Sequence, residues 1–280
     1  MREVDVSLIT DAVKRMSMEA NTRLGEDVIA TYAACAMREE SETGRSILEQ
    51  LQRNAEISGE TGLPLCQDTG VAVVFVELGQ DVHLTGGALR EAVNEGVRQG
   101  YREGYLRKSI VEDPLRRKNT GDNTPAVLHV ELVPGDKVKI TIATKGGGSE
   151  NMSGIKMLKP ADGVDGVKDF VIERVREAGP NPCPPTIVGV GIGGTFEVAA
   201  ILSKKALLRP LGERHPDPYY AALEEDLLEK INRLGIGPMG LGGSTTSLDV
   251  KVEVHPCHIA SLPVAVNIQC HSTRHLETEI

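Results

Sequence analysis

Residues 62–79 read GLPLCQDTGVAVVFVELG, and the change inside this stretch sets the class of fold. Before it, apolar residues recur at helical spacing. After Gly70 the run 71–76 is continuously apolar. Burying such an apolar run calls for a strand. The polar step in front of it sets a cysteine, an amide and a carboxylate side by side, Cys66, Gln67 and Asp68. A plain turn needs none of those groups, so this step is the first place to look for chemistry.

Upstream, Val4, Ile9, Val13 and Met16 predict a helix, and EDVIATYAACAMREE and SETGRSILEQLQRNAEI predict two more. Cys35 falls on the apolar face of the second and reads as a core thiol. Downstream, 71–78 predicts a strand and 85–101 a helix. PAVLHVELVPGDKVKITIATKG predicts a hairpin about the turn Pro134-Gly135-Asp136. Helices follow over 165–178, in TFEVAAILSKKALLRP and over 218–234, with strands in PTIVGVGIGG, SLDVKVEVH and SLPVAVNIQC. The expected fold is α+β, a helical N-terminal layer (about 1–60) followed by interleaved strands and helices around mixed sheets. No Pro-, Gly- and Ser-rich linker and no internal repeat is evident, so 1–280 reads as a single domain.

Apolar residues make up 40% of the 280 and charged residues 25%, ordinary for a soluble globular protein. A net charge of -9 argues against nucleic acid as a partner, since phosphates call for a basic excess. It leaves room for a small anionic substrate met by a local group of arginines. With 3% aromatics and no Trp, base- or sugar-stacking platforms are not expected. MREVDVSLITDAVKRMSMEAN lacks a signal-peptide core, and no run approaches a membrane span, so a cytoplasmic location is expected. Five cysteines in such a chain point to free thiols or metal ligands rather than a disulfide framework.

Two glycine-rich stretches stand out. ATKGGGSENMS (143–153) leaves a strand but lacks the lysine of a phosphate loop. GVGIGGTFE (189–197) fits a dinucleotide fingerprint loosely through Gly189, Gly191 and Gly194, yet Lys204 and Lys205 stand where the acidic ribose ligand belongs. Cys66, Cys183 and Cys270 each lie where an apolar run meets a polar turn. Their spacings of 117 and 87 residues match no short zinc or ferredoxin pattern, so spacing does not name a metal.

LPLCQDTG, LRKSIVEDPLRRKNTGDNTPAV, KGGGSENMS, PCPPTIVGVGIGGT and VNIQCHSTRH together resemble the iron–sulfur (class I) fumarate hydratases and, equally, the α subunits of two-chain L-tartrate dehydratases. The resemblance runs from about residue 5 to the C-terminus. It implies a [4Fe–4S] cluster held by Cys66, Cys183 and Cys270 alone, leaving one iron open as a Lewis acid. By the same resemblance Gln67, Arg107, Gly147 and His258 bind substrate, and Asp68 protonates the departing hydroxyl. It also implies a β subunit that completes the site, in a dimer of αβ pairs, acting on a C4 dicarboxylate. Interconversion of (S)-malate and fumarate, a tricarboxylic acid cycle reaction, is the reading preferred here. Dehydration of L-tartrate to oxaloacetate is the alternative, and a zinc- or nucleotide-binding module built on GVGIGGT and Cys257-His258 is a remote one. Plainer roles stay open for several residues: a turn cap for Asp68, a surface pairing of Arg107 with Glu112 or Asp113, a structural role for His258.

Overall fold

The structure, a computed structural model, describes residues 1–280. The chain divides into two compact units, each with its own apolar core. Unit 1 comprises Met1–Leu24, Ala55–Gly147 and Arg274–Ile280; unit 2 comprises Gly25–Asn54 and Gly148–Thr273.

In unit 1 the apolar run forms β2 (Val71–Gly79), and Ala72 to Val76 are buried on both faces. A strand of that kind needs a hydrogen-bonded neighbour on each side. It has β4 (Val127–Val133), parallel, on one edge and β5 (Val138–Lys145), antiparallel, on the other. β10 (His275–Glu279) adds to β5, giving the order β10–β5–β2–β4. The hairpin expected from PAVLHVELVPGDKVKITIATKG is therefore not one. Its two strands exist, and β2 lies between them. The alternation in each strand is the same whichever neighbour it pairs with, which is why the local pattern misleads. The end of β2 enters the 134–137 turn, where Gly79 N–H donates to Lys137 O at 2.9 Å and Gln80 N–H to Val133 O at 2.8 Å. Gly79 is obligatory there, because a Cβ would stand 2.4 Å from Gly135 O.

One face of this sheet is covered by α1 (Val6–Thr22) and α4 (Leu89–Glu103), through Ile9, Val13, Val93 and Val97. The helices approach closely over Gly96 and Gly100, whose Cβ atoms would lie 2.7 and 2.8 Å from the carbonyls of Thr10 and Lys14. A parallel ribbon of β1 (Arg2–Asp5) and β3 (Val82–Thr85) precedes both helices, and α4 starts later than the sequence suggests, after Gly86 and Gly87. The segment after α4 is rigidly folded. Val111 bridges Asn119, Asp113 accepts from Leu115 and Arg116 N–H, and Lys118 pairs with Glu112. Asp122 holds the returning end to α4 through Arg98 at 2.9 Å.

Unit 2 repeats the sheet plan. β7 (Thr186–Gly193) is central, with β8 (Ser247–His255) parallel on one side and β9 (Leu262–Gln269) antiparallel on the other. β6 (Gly154–Leu158) completes the order β6–β9–β7–β8, so a central strand again separates two consecutive ones. α2 (Glu26–Arg38), α3 (Glu42–Thr61, up to Asn54), α6 (Gly163–Ala178), α7 (Phe196–Ala206) and α8 (Pro218–Asn232) belong here, and a four-residue α5 (Gly147–Glu150) leads in. Cys35 is a core thiol as expected, 7% exposed, and burial pushes its pKa up. The glycines of GVGIGG have a packing role. Gly189 and Gly191 lie inside β7, where a Cβ would stand 2.1 Å from Ser203 O and from Ala199 O of α7. They are not the turn glycines of a dinucleotide loop. No helix is long and apolar enough to cross a membrane.

Two stability outcomes follow from this packing. Gly191→Ala must push α7 off β7 and should cost about 1–3 kcal/mol or more in denaturant unfolding. Gly59→Ala, in α3 with open space at its Cβ, should instead gain about 0.5–1 kcal/mol through helix propensity. For Asp122, burial opposes ionisation, but the Thr124 N–H and hydroxyl and then Arg98 outweigh it and hold the carboxyl at about 2, below its ordinary 3.8. A carboxyl depressed in the folded state stabilises above the unfolded value, so its contribution is complete above about pH 4 and fades toward pH 2. Asp122→Asn should therefore lower the unfolding midpoint at pH 7, and its difference from the parent should shrink between those limits.

Candidate active site

The loop Leu65–Gly70 runs from the end of α3 into β2 and is fastened along its length. Leu65 N–H donates to Asn21 O at 2.8 Å. Burial pushes the Tyr101 hydroxyl above its ordinary pKa, and that hydroxyl donates to Thr69 O at 2.8 Å and Gly70 O at 2.9 Å. Asn123 Nδ2 donates to Gly70 O at 3.2 Å while its Oδ1 accepts from Ser109 N–H at 2.7 Å. Gly70, at φ +77°, turns the chain into the strand, and a Cβ there would strike the backbone of Lys145 at 2.7–2.8 Å. The main chain around Cys66 is thus fixed while the Gln67 side chain is exposed and those of Cys66 and Asp68 are half-buried.

Asp68 N–H points at Cys66 Sγ at 3.4 Å, and the Cys66 thiol in turn donates to Gln67 Oε1 at 3.4 Å. The Asp68 carboxylate is fixed at both oxygens, Oδ1 by Gly70 N–H at 3.1 Å and Oδ2 by Gly147 N–H at 2.8 Å. β5 is antiparallel to β2, pairing Lys145 with Val71, and this brings Gly146 and Gly147 back to the Cys66 loop. Behind Asp68 lies Arg274, 2% exposed, with Nη1 on Asp68 O at 2.7 Å and on Asn21 Oδ1 at 3.0 Å. Each such bond is worth about 1.5–3 kcal/mol. Desolvating a guanidinium costs several kcal/mol, so the pair of bonds roughly offsets burial and adds little net stability. Thr69 Oγ1 donates to Arg107 O at 3.0 Å, which fixes that backbone beside the loop. The Arg107 guanidinium is exposed and makes no ion pair within the chain. Glu112 pairs with Lys118 instead, and Asp113 caps its own turn.

Unit 2 carries the other thiols. Cys183 leads into β7 and Cys270 follows β9, and the pairing of Ile187 with Gln269 puts both at the same end of that sheet. His271 N–H reaches Cys183 O at 3.4 Å, tying the two turns together. Cys183 sits in the left-handed region at φ +54°, a strained position for a residue with a Cβ, and its side chain is exposed. Ser272 Oγ is 3.3 Å from Cys270 Sγ. Tyr32 of α2, fully buried, donates to His271 O at 2.6 Å; burial first, and the nearby Cys270 second, push its pKa well up. His258 is in the exposed turn after β8, its Nδ1 accepting from Ala260 N–H at 3.1 Å, and none of its hydrogen bonds reaches Cys183 or Cys270.

Unit 1 thus brings together Cys66, Gln67, Asp68, Gly147 and the Arg107 backbone, and unit 2 brings together Cys183 and Cys270. Asn21, Tyr32, Tyr101, Asn123 and Arg274, to which the sequence alone assigns no role, hold these turns. None of the five cysteines forms a disulfide. Cys66, Cys183 and Cys270 sit at strand ends with polar groups beside two of the sulfurs, which suits a cluster ligated by one thiolate per iron.

The family model described as fumarate hydratase (Fumerase) matches residues 10–279. A Methanocaldococcus jannaschii protein named "Putative L(+)-tartrate dehydratase subunit alpha" is 46% identical over 272 residues, covering 95% of each chain. Proteins of Escherichia coli and Shigella sonnei named L(+)-tartrate dehydratase subunit alpha are each 36% identical over 272 residues, covering 96% of this chain and 89% of theirs. With a family match across nearly its whole length and relatives this close, the chain belongs to the fumarate hydratase family of iron–sulfur hydro-lyases.

Proposed function

We propose that this chain is the α subunit of a two-chain hydro-lyase that dehydrates a four-carbon 2-hydroxy dicarboxylate, with L-tartrate as its substrate and oxaloacetate as the product. The names of the relatives favour tartrate over the malate–fumarate pair preferred from sequence, and that preference is changed accordingly. Malate and fumarate remain the second reading, because the family description is fumarate hydratase. The observation that carries the hydro-lyase reading is the Asp68 carboxylate, held at both oxygens two residues from a free cysteine at the mouth of β2.

In this reading Cys66, Cys183 and Cys270 hold a [4Fe–4S] cluster, and the two compact units together make one catalytic subunit. When bound, a cluster with three protein ligands supplies a Lewis-acidic iron that withdraws electrons from hydroxyl and carboxylate oxygens. Asp68 gives its carboxyl proton to the departing hydroxyl, which leaves as water. Its two N–H donors keep the carboxyl in one orientation through that transfer. Gln67 and the backbone of Gly147 orient the substrate, and His258 assists them. The exposed Arg107 fork takes a substrate carboxylate in a planar, two-point pairing. Removal of the carbon-bound proton falls to a β subunit, in a cytoplasmic dimer of αβ pairs.

The test is anaerobic co-purification with the β chain, followed by iron and acid-labile sulfide analysis and assays on L-tartrate and on malate. About four irons and four sulfides per αβ pair, with turnover of L-tartrate, are expected. Turnover of malate alone would move the assignment to the second reading. Zinc without sulfide would overturn both. Replacing Cys183 and Cys270 together by Ser should abolish cluster assembly, and stoichiometric iron and sulfide in that variant would contradict the ligand set.

A further inference from the structure

We infer that Arg274 is a positioning residue: it fixes, from inside unit 1, the loop that carries Cys66, Gln67 and Asp68. The inference rests on the reading of Asp68 as the proton donor. Arg274 holds that residue from two directions. Its Nη1 donates to Asp68 O at 2.7 Å and, through Asn21 Oδ1 at 3.0 Å, anchors the loop to the end of α1. Asn21 is itself fully buried, with Nδ2 on Ser17 O at 2.9 Å. The backbone of Arg274 meanwhile pins the end of β5, Thr144 N–H donating to Arg274 O at 3.0 Å, and β5 is the strand that delivers Gly147 N–H to Asp68 Oδ2.

Gly146 lies against both groups: a Cβ there would stand 3.2 Å from Asp68 Oδ2 and 3.5 Å from Arg274 Nη2, crowding the carboxylate and touching the guanidinium. The charge of Arg274 meets no carboxylate in an ion pair, and its buried Nε has no partner. A buried cation with an unpaired donor adds little net stability, which favours a placement role for Arg274. One nitrogen, Nη1, bonds both acceptors, and the planar guanidinium holds its two N–H directions at a fixed angle, which a freely rotating ammonium does not reproduce.

The test uses the anaerobic αβ enzyme with Arg274→Gln, Arg274→Lys, Asp68→Asn and the double variant Arg274→Gln/Asp68→Asn. Three readouts are taken: kcat and KM, iron and sulfide content, and amide hydrogen exchange of peptides covering 66–72 and 144–148. Arg274→Gln should lower kcat by about 30-fold or more with KM within about threefold and full iron content. Arg274→Lys should recover part of that loss. Exchange in both peptides should rise about tenfold while peptides of α1 and α4 keep their protection. The double variant should be no slower than Asp68→Asn, because Arg274 acts through Asp68. Arg274→Gln with parental kcat and exchange, losses that multiply in the double variant, or a loss that only tracks missing iron would each overturn the inference. An Asp68→Asn enzyme of full activity would overturn the role of Asp68 and this inference with it. An inactive Asp68→Asn beside an unaffected Arg274→Gln would overturn this inference alone. If Arg274→Gln does not assemble, Arg274→Lys carries the comparison, and parental kcat and exchange in it would overturn the proposal.

Discussion

The structure depends on one constraint, the need of a continuously apolar strand for hydrogen-bonded neighbours on both sides. β2 in unit 1 and β7 in unit 2 meet it the same way, by lying between two strands that are consecutive in the chain. That insertion has a chemical consequence. The strand returning antiparallel ends where the central strand begins, so two loops distant in sequence meet at that end of each sheet. In unit 1 they are the Cys66–Gly70 loop and Gly146-Gly147; in unit 2 they are the turns of Cys183 and Cys270. The residues of interest lie on irregular backbone, but it is irregular backbone held by the central strand of each sheet.

The glycines are specific to this arrangement. Gly79 and Gly193 both stand where a central strand runs against the carbonyls of the connection that brackets it, Gly135 O at 2.4 Å and His255 O at 1.9 Å from their missing Cβ atoms. Gly70 and Gly146 perform the same service at the opposite, functional end of unit 1. A side chain at Gly70 would strike the backbone of Lys145, and one at Gly146 would crowd the Asp68 carboxylate itself.

Much of this was legible in the chain. The α+β class, the central strands and most helices follow from apolar period and from glycine and proline punctuation, and so does the placement of Cys66, Asp68, Cys183 and Cys270 at strand ends, while the roles proposed for them come from the family resemblance. Strand partnership was not legible, because β4 and β5 alternate identically whether paired with each other or split by β2. The short strands were missed for lack of a pattern: β10 is HLETE, polar and at a sheet edge. The GVGIGG glycines looked like a ligand loop because close packing of a helix on a strand requires the same residue as a tight turn. Arg274 was hidden for another reason. Its partners Asp68 and Asn21 are 206 and 253 residues away, so no local window holds the relation. Tyr101 and Asn123 share that property, as side chains whose purpose is visible only in the bonds they make to the Cys66 loop.

The family places hydro-lyase chemistry on this scaffold, and the fastened Asp68 beside Cys66 gives that chemistry a physical form. The account rests centrally on three thiolates serving four irons, so that one iron meets substrate. Mössbauer spectroscopy of the anaerobic αβ enzyme loaded with isotopically enriched iron, with and without L-tartrate or malate, tests this most directly. The account predicts that about one quarter of the iron absorption shifts when substrate is added and the remainder stays. A spectrum unchanged by either acid would contradict it.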